Sequence, residues 1–171
     1  FDFIVKHGAK FKDTVMMPGG MTAKRLLQPD YNGATGLLAP LRESYLKMGG
    51  QLILCCKVDR LLLDRDGRVE GVAARTDYHF NTRLKSDDLE NKGGTPVRYR
   101  AKRGVICCTG GFEADRAFRS QELPQFDGAF TTEHPGATAS GYRMLAAAGA
   151  RMINGTLYRP AFPCTDEQPL G

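Results

Sequence analysis

Residues 105–115 read VICCTGGFEAD, a short apolar run followed by two adjacent glycines. The run has the length and composition of a buried strand, and Gly110-Gly111 breaks it sharply. Because glycine lacks a Cβ, such a turn lets a bulky planar ligand lie against the backbone, although a tight turn without a ligand explains the pair equally well. QLILCC, residues 51–56, is a second run of this kind, so two buried strands are expected.

Apolar residues recur at helical spacing before residues 51–56 and after residues 105–109. Apolar side chains recur from Leu37 to Leu46, and Gly49-Gly50 lies just past them, which predicts a helix that ends there. We expect a short helix over residues 113–120 and an alanine-rich helix over residues 140–150. Residues 1–24 have little periodicity and predict one short strand or irregular structure.

A hairpin is predicted between the two buried strands. Asp66-Gly67 is a strong two-residue turn signal within residues 57–75, which carry apolar side chains on both sides of it. The polar residues 76–97 predict a surface excursion, and residues 97–101 are expected to pair back as a strand. This order indicates an α/β fold, the latter half of an FAD-binding Rossmann-like domain with an inserted antiparallel β-meander.

The composition is that of a globular domain and limits its partners. Of the 171 residues 42% are apolar, and no apolar stretch approaches the roughly 20 residues of a membrane span. The net charge is +5 with scattered basic residues, which fits a solvated surface or a field that favours anionic ligands, so no nucleic-acid partner is expected. The chain begins at Phe1 rather than Met, and we interpret residues 1–171 as a partial domain.

The five cysteines do not form a metal-binding pattern. Cys55-Cys56 and Cys107-Cys108 lie in the predicted strands, where neighbouring side chains point to opposite faces. With Cys164 the count is odd, which fits reduced core cysteines and a reducing, cytoplasmic compartment. No metal site is expected.

The glycine motifs that bind nucleotide phosphates are absent from the sequence. No two of the 20 glycines are spaced as G-x-G, and neither G-K-S nor G-K-T occurs, which excludes both the dinucleotide fingerprint and the P-loop. Any cofactor assignment for these residues therefore rests on other contacts.

Four stretches within residues 25–165 carry a family resemblance. They read QPDYNGATGLLAPLRESYLKMGGQLILCCKVDRLLLDRDGRVEGV, AKRGVICCTGGFEAD, TTEHPGATASGYRMLAAAGARM and TLYRPAFPCT. In this order they resemble the FAD-dependent fumarate reductase and succinate dehydrogenase flavoprotein family, which includes 3-ketosteroid dehydrogenase and tricarballylate dehydrogenase. The resemblance implies hydride transfer between FAD and a carbon–carbon bond next to a carbonyl or carboxylate. It places the pyrophosphate loop before this chain and a capping domain with the acid–base group after it, so no catalytic residue is assigned.

The resemblance also implies which residues contact FAD. They are Gly33, Thr35, Gly36, Val58, Thr109, Gly110, Gly111, Thr138, Ser140 and Gly141. A helix that begins at Thr35-Gly36 offers free backbone N–H groups to a phosphate or a flavin carbonyl. Purely structural explanations stay open, since Gly33 and Gly36 can simply form a turn, Val58 can be a core residue, and Ser140 can cap a helix.

Two positions depart from the family pattern. Thr138-Ala139-Ser140-Gly141 stands where the family has T-G-D-G, so the acidic side chain is absent, and Arg159-Pro160 stands where it has His-Pro. Arg159 is the expected substrate-binding residue, because a guanidinium binds a carboxylate bidentately and keeps its charge. A carbonyl- or carboxylate-bearing small molecule other than fumarate or succinate is therefore favoured.

Two alternatives stay open. The missing glycine fingerprint is equally expected of a non-catalytic fragment or degenerate module that needs a partner chain to complete an FAD site. An NAD(P)-dependent Rossmann enzyme fits less well, because a β-hairpin inserted between the two buried strands is a feature of FAD-binding domains.

Overall fold

The chain forms two units, Phe1–Ile53 and Leu54–Gly171. The structure is a computed structural model, and it describes residues 1–17, 22–31, 34–129, 131 and 133–153. Within these ranges, no helix has the length and apolar character needed to cross a membrane.

The first unit contains two helices and a two-stranded antiparallel sheet. Their bounds in chain order are α1 Asp2–Lys6, β1 Phe11–Met16, β2 Leu26–Pro29 and α2 Thr35–Lys47. α2 confirms the helix predicted before Gly49, which follows it in the left-handed conformation with φ 86°. The expectation for residues 1–24 was incomplete, since they hold both α1 and β1. β1 obtains its hydrogen bonds from β2, a partner that its own weak periodicity does not reveal.

The second unit is built on a three-stranded antiparallel sheet. Its strands are β3 Lys57–Leu63, β4 Val69–Thr76 and β5 Thr95–Arg100, in the order β3-β4-β5. The hairpin and the returning strand are therefore confirmed. In the hairpin turn, the Asp64 carboxylate accepts hydrogen bonds from the backbone N–H groups of Asp66 and Arg68, both at 2.9 Å, and Gly67 adopts φ 80°.

Three α-helices and a short 3₁₀ helix accompany this sheet. They are α3 Asp87–Glu90, α4 Arg116–Glu122, the 3₁₀ helix Pro124–Phe126, and α5 Ser140–Ala147. α4 and α5 confirm the two predicted helices with shifted ends. Phe112, Leu123 and Ala139 form a buried cluster in this unit, and the half-buried Phe118 and Tyr142 pack against it.

The two buried strands predicted at residues 51–56 and 105–109 are corrected by the structure. In the described part of the chain neither segment belongs to a sheet, and both are largely exposed, with Leu54 72% and Ile106 90% accessible. A strand becomes regular only beside a neighbouring strand and buried only under a covering layer, and the described residues supply neither. The prediction of core cysteines was wrong for the same reason, because Cys55 and Cys108 are exposed.

The excursion over residues 76–97 folds around a buried carboxylate. Asp87 is only 3% exposed and accepts hydrogen bonds from the Tyr78 hydroxyl, from the Asn81 backbone N–H at 2.8 Å and from the Asn91 amide at 2.7 Å. Most of residues 76–97 are exposed, as expected of a surface excursion, but Tyr78 and Asp87 are buried because these polar groups satisfy one another.

Candidate functional site

Two loops singled out from the sequence lie against each other in the second unit. They are the glycine turn, residues 109–111, and residues 137–141, in which the loop before α5 runs into the first two residues of that helix. The Ala114 backbone N–H donates to the Ala137 carbonyl at 2.9 Å. Gly141 packs so closely on Thr109 that a Cβ at position 141 would overlap the Thr109 hydroxyl. The structure thus gathers six predicted FAD contacts in one region, namely Thr109, Gly110, Gly111, Thr138, Ser140 and Gly141.

The glycine turn has one open face. Thr109 and Gly110 are exposed, Gly110 adopts φ 77°, and a Cβ built there would meet nothing within 4 Å. At Gly111, by contrast, a Cβ would overlap the Glu113 carboxylate. The turn therefore favours glycine at Gly110 because of its backbone conformation, whereas at Gly111 the overlap involves only the end of the flexible Glu113 side chain, which can move. An exposed hydroxyl beside open backbone fits a large planar ligand with polar edges.

The loop before α5 contains a strained backbone position. Ala139 precedes the first helical residue, is 1% exposed and adopts the left-handed conformation with φ 58°, which costs an L-residue about 1–2 kcal/mol. No side chain caps α5. The capping explanation for Ser140 was therefore wrong, because Ser140 is already inside the helix. Ala139 occupies the position matched to the first glycine of T-G-D-G, and the left-handed backbone explains why glycine suits that position.

Thr138 is held on two sides. Its hydroxyl donates to Asp88, and its carbonyl accepts a 2.8 Å hydrogen bond from the Arg143 guanidinium. Arg143 also pairs with Asp115 at 2.6 Å, and Asp88 pairs with Lys57 at 2.8 Å. The loop is therefore tied through Asp88 to the excursion and to β3, and through Arg143 to the start of α4.

These supporting residues were missed by the sequence reasoning. Asp88 is 50 positions from Thr138 and lies in a segment that was read as solvated surface. The sequence did contain a signal for Asp115, because aspartate is a common residue at the start of a helix, where its side chain caps the backbone N–H groups. In the structure, the Asp115 carboxylate accepts a hydrogen bond from the Phe118 backbone N–H at 2.9 Å. That cap also explains why α4 begins at Arg116 rather than at residue 113.

Val58 lies in β3 of the same unit. It is half-buried and pairs with Ala74 of β4, and α5 packs on β3. These contacts support the reading of Val58 as a packing residue, and its proposed adenine contact stays a prediction.

Thr35 and Gly36 belong to the first unit. Thr35 is exposed at the start of α2, whereas Gly36 is packed so that a Cβ would approach the Tyr31 carbonyl oxygen to 2.5 Å. Both line an open cavity of about 620 Å³ that Lys6, Lys10 and Lys47 also border. Asp30 and Glu43 border the cavity as well, so its charges are mixed, and only the free N–H groups at the start of α2 favour an anion. Two further predicted residues, Gly33 and Arg159, lie outside the described residues.

An open groove of about 950 Å³ borders the loop before α5. The excursion contributes Phe80 and Leu84, α4 contributes Arg116, and Thr138 lies at its edge. In the ranges that the structure describes, no group of three or more His, Cys, Asp or Glu side chains is arranged to hold a metal ion.

Residues 7–162 match the family model described as the FAD binding domain. The chain belongs to this family. Its cofactor is FAD, and its fold is an FAD-binding domain that combines helices with antiparallel sheets.

Relatives with assigned names share the family. The FAD-binding domain is 30% identical over 135 residues to the acrylate reductase flavoprotein subunit of Shewanella woodyi, which covers 78% of this chain and 25% of that protein. It is 29% identical over 155 residues to the NADH:fumarate oxidoreductase of Klebsiella pneumoniae, which covers 90% of this chain and 15% of that protein. The chain therefore spans a quarter or less of these relatives.

Solved structures show the same fold. An open conformation of a flavocytochrome c3 fumarate reductase superposes with a TM-score of 0.68 at 20% identity, covering 88% of this chain and 24% of that one. The 3-ketosteroid-Δ4-(5α)-dehydrogenase from Rhodococcus jostii RHA1, in complex with 4-androstene-3,17-dione, superposes with a TM-score of 0.71 at 22% identity, covering 88% and 34%.

Proposed function

We propose that this FAD-binding domain is part of a flavoprotein oxidoreductase that transfers a hydride between FAD and a carbon–carbon bond next to a carbonyl or carboxylate. The observation that carries the proposal is the match of residues 7–162 to the FAD-binding domain family. The relatives named acrylate reductase and NADH:fumarate oxidoreductase support the type of reaction.

The residues of this chain have a binding and orienting role in the proposal. When bound, FAD supplies the hydride chemistry. Thr109 and the backbone at Gly110 and Gly111 would hold one face or edge of it, because that surface is open and polar. The loop of Thr138, Ser140 and Gly141 would hold a neighbouring part, since it packs directly on Thr109. Arg159 is the proposed substrate ligand, and no residue of this chain is assigned proton transfer.

We also propose that further protein completes the domain as a Rossmann-like fold. The exposed segments 51–56 and 105–109 carry apolar side chains such as Leu54 and Ile106, and a neighbouring strand would both pair with and cover them. The pyrophosphate-binding unit and a capping domain are the proposed partners. The free thiols of Cys107 and Cys108 fit the reducing, cytoplasmic compartment that we propose.

The second candidate function is a degenerate module that does not catalyse a reaction. The observation that favours it is the sequence Thr138-Ala139-Ser140-Gly141, which lacks the acidic side chain of the family pattern and places an alanine at a left-handed position.

Flavin content and flavin reoxidation test the proposal together. The complete natural protein should be purified and should show visible flavin absorbance. After chemical reduction without oxygen, we expect acrylate or an unsaturated ketosteroid to reoxidise the flavin faster than fumarate does. Bound flavin that none of these acceptors reoxidises would contradict the proposed reaction. A protein that neither contains nor takes up FAD would support the degenerate module instead.

A further inference from the structure

We propose that Asp88 is a positioning residue for the bound flavin, because its carboxylate holds the loop before α5 in its FAD-contacting shape. This inference rests on the proposed function, in which that loop contacts FAD. It assigns a role to the excursion, a segment that lies outside both loops.

The position of Asp88 makes it a connection between three elements. Asp88 belongs to α3, and its side chain is only 7% exposed. One carboxylate oxygen pairs with Lys57 at the start of β3, and the other accepts a hydrogen bond from the Thr138 hydroxyl. The carboxylate is thus fully engaged, and its burial is balanced by an opposite charge and a hydrogen bond.

The loop needs such support because it is strained. Ala139 follows Thr138 directly and holds a left-handed backbone without a glycine. A strained residue keeps its conformation only when its neighbours are fixed, and Thr138 is fixed by Asp88 on its side chain and by Arg143 on its carbonyl. No side chain within residues 137–141 is acidic, so the excursion supplies the carboxylate that holds this loop.

A set of variants in the complete, FAD-containing protein tests the inference. Asp88→Asn removes the charge, Thr138→Val removes the hydroxyl that donates to Asp88, and Thr138→Ser keeps that hydroxyl. We expect the first two to weaken FAD binding by about tenfold or more, the range of a hydrogen bond to a charged group. Both should change the visible circular dichroism of the bound flavin in the same direction, and Thr138→Ser should recover most of the affinity that Thr138→Val loses.

The double variant distinguishes positioning from general destabilisation. If Asp88 acts through Thr138, the losses of the two single variants do not add. The double variant, with Asp88→Asn and Thr138→Val, then binds FAD as tightly as whichever single variant binds it less tightly. Asp66→Asn, in the exposed hairpin turn, is the matched charge-removing control and should change neither readout. Unchanged affinity and dichroism in both Asp88→Asn and Thr138→Val, or strictly additive losses, would overturn the inference. A wild-type protein that binds no FAD would instead overturn the proposed function.

Discussion

Asp87 keeps its charge in a buried position because three donors surround it. Burial alone would raise its pKa, but hydrogen bonds from Tyr78, Asn91 and the Asn81 backbone outweigh it, so the pKa lies below the ordinary 3.8. For Tyr78, burial and the hydrogen bond to Asp87 raise the pKa well above the ordinary 10.0. By linkage, the contribution of Asp87 is complete above pH 3.8 and is lost as pH falls through its lowered pKa. The contribution of Tyr78 is lost as pH rises above 10.

Asp87→Asn tests this linkage. We expect it to lower the free energy of unfolding at neutral pH by about 2 kcal/mol, since charged hydrogen bonds are lost. The difference from the wild type should shrink as the pH falls from the ordinary carboxyl pKa through the lowered one, because the wild-type carboxyl loses its charge over that range. Urea denaturation at several pH values measures this, with Asp66→Asn as the control. If the free energies of unfolding of the variant and the wild type differ by the same amount at neutral and acid pH, the hydrogen bonds to the charged Asp87 are not the cause.

Gly141 carries a second prediction at the residue scale. Gly141→Ala places a methyl group on the Thr109 hydroxyl, so it should separate the two loops and weaken FAD binding. Combining it with Thr109→Ala removes the overlapping oxygen and should restore part of the affinity. Titration of the apoprotein with FAD measures both effects. If Gly141→Ala weakens FAD binding as much in the Thr109→Ala background as in the wild type, the overlap is not the cause.

At the scale of elements, the beginning of α4 depends on Asp115. The Asp115 carboxylate caps the helix through the Phe118 N–H and also pairs with Arg143. Asparagine caps a helix as well as aspartate does, so Asp115→Asn should lose only the ion pair and Asp115→Ala both interactions. We expect the free energy of unfolding to fall by about 1 kcal/mol in Asp115→Asn and by about 2 kcal/mol in Asp115→Ala.

Urea denaturation of these two variants checks the order. Glu70→Gln is a suitable control, because Glu70 pairs with Arg100 at 3.7 Å through exposed side chains, and such pairs contribute little. Equal losses for Asp115→Asn and Asp115→Ala would show that the cap does not contribute.

The sequence predicted those elements whose signals are local. α2 and the β3–β4 hairpin were found because helical spacing, Gly49 and Asp66-Gly67 lie within them. The VICCT strand was not found in the structure, since pairing and burial depend on neighbours that its own residues do not specify. The glycine turn and the Thr138 loop were predicted to contact FAD because their sequences resemble the family, and that assignment stays a prediction. Asp88, by contrast, joins that site only through folding, across 50 positions.

At the scale of the whole molecule, the FAD-binding domain offers unpaired apolar segments. We expect the amides of residues 104–109 to exchange rapidly in this chain alone and slowly in the complete protein, while the β4 amides are protected in both. Hydrogen exchange read by mass spectrometry compares the two samples. Equal exchange of residues 104–109 in both would mean that no added strand pairs with this segment.

Hydrogen exchange of the complete protein with and without FAD is the most direct test of the site itself. FAD should slow exchange at residues 109–111 and 137–141 together, because these loops form one surface, and should leave the hairpin turn at residues 64–68 unchanged. Protection of both loops on FAD binding is the predicted result. Saturating FAD that leaves both loops exchanging as they do in the apoprotein would contradict the assignment of this surface to the cofactor.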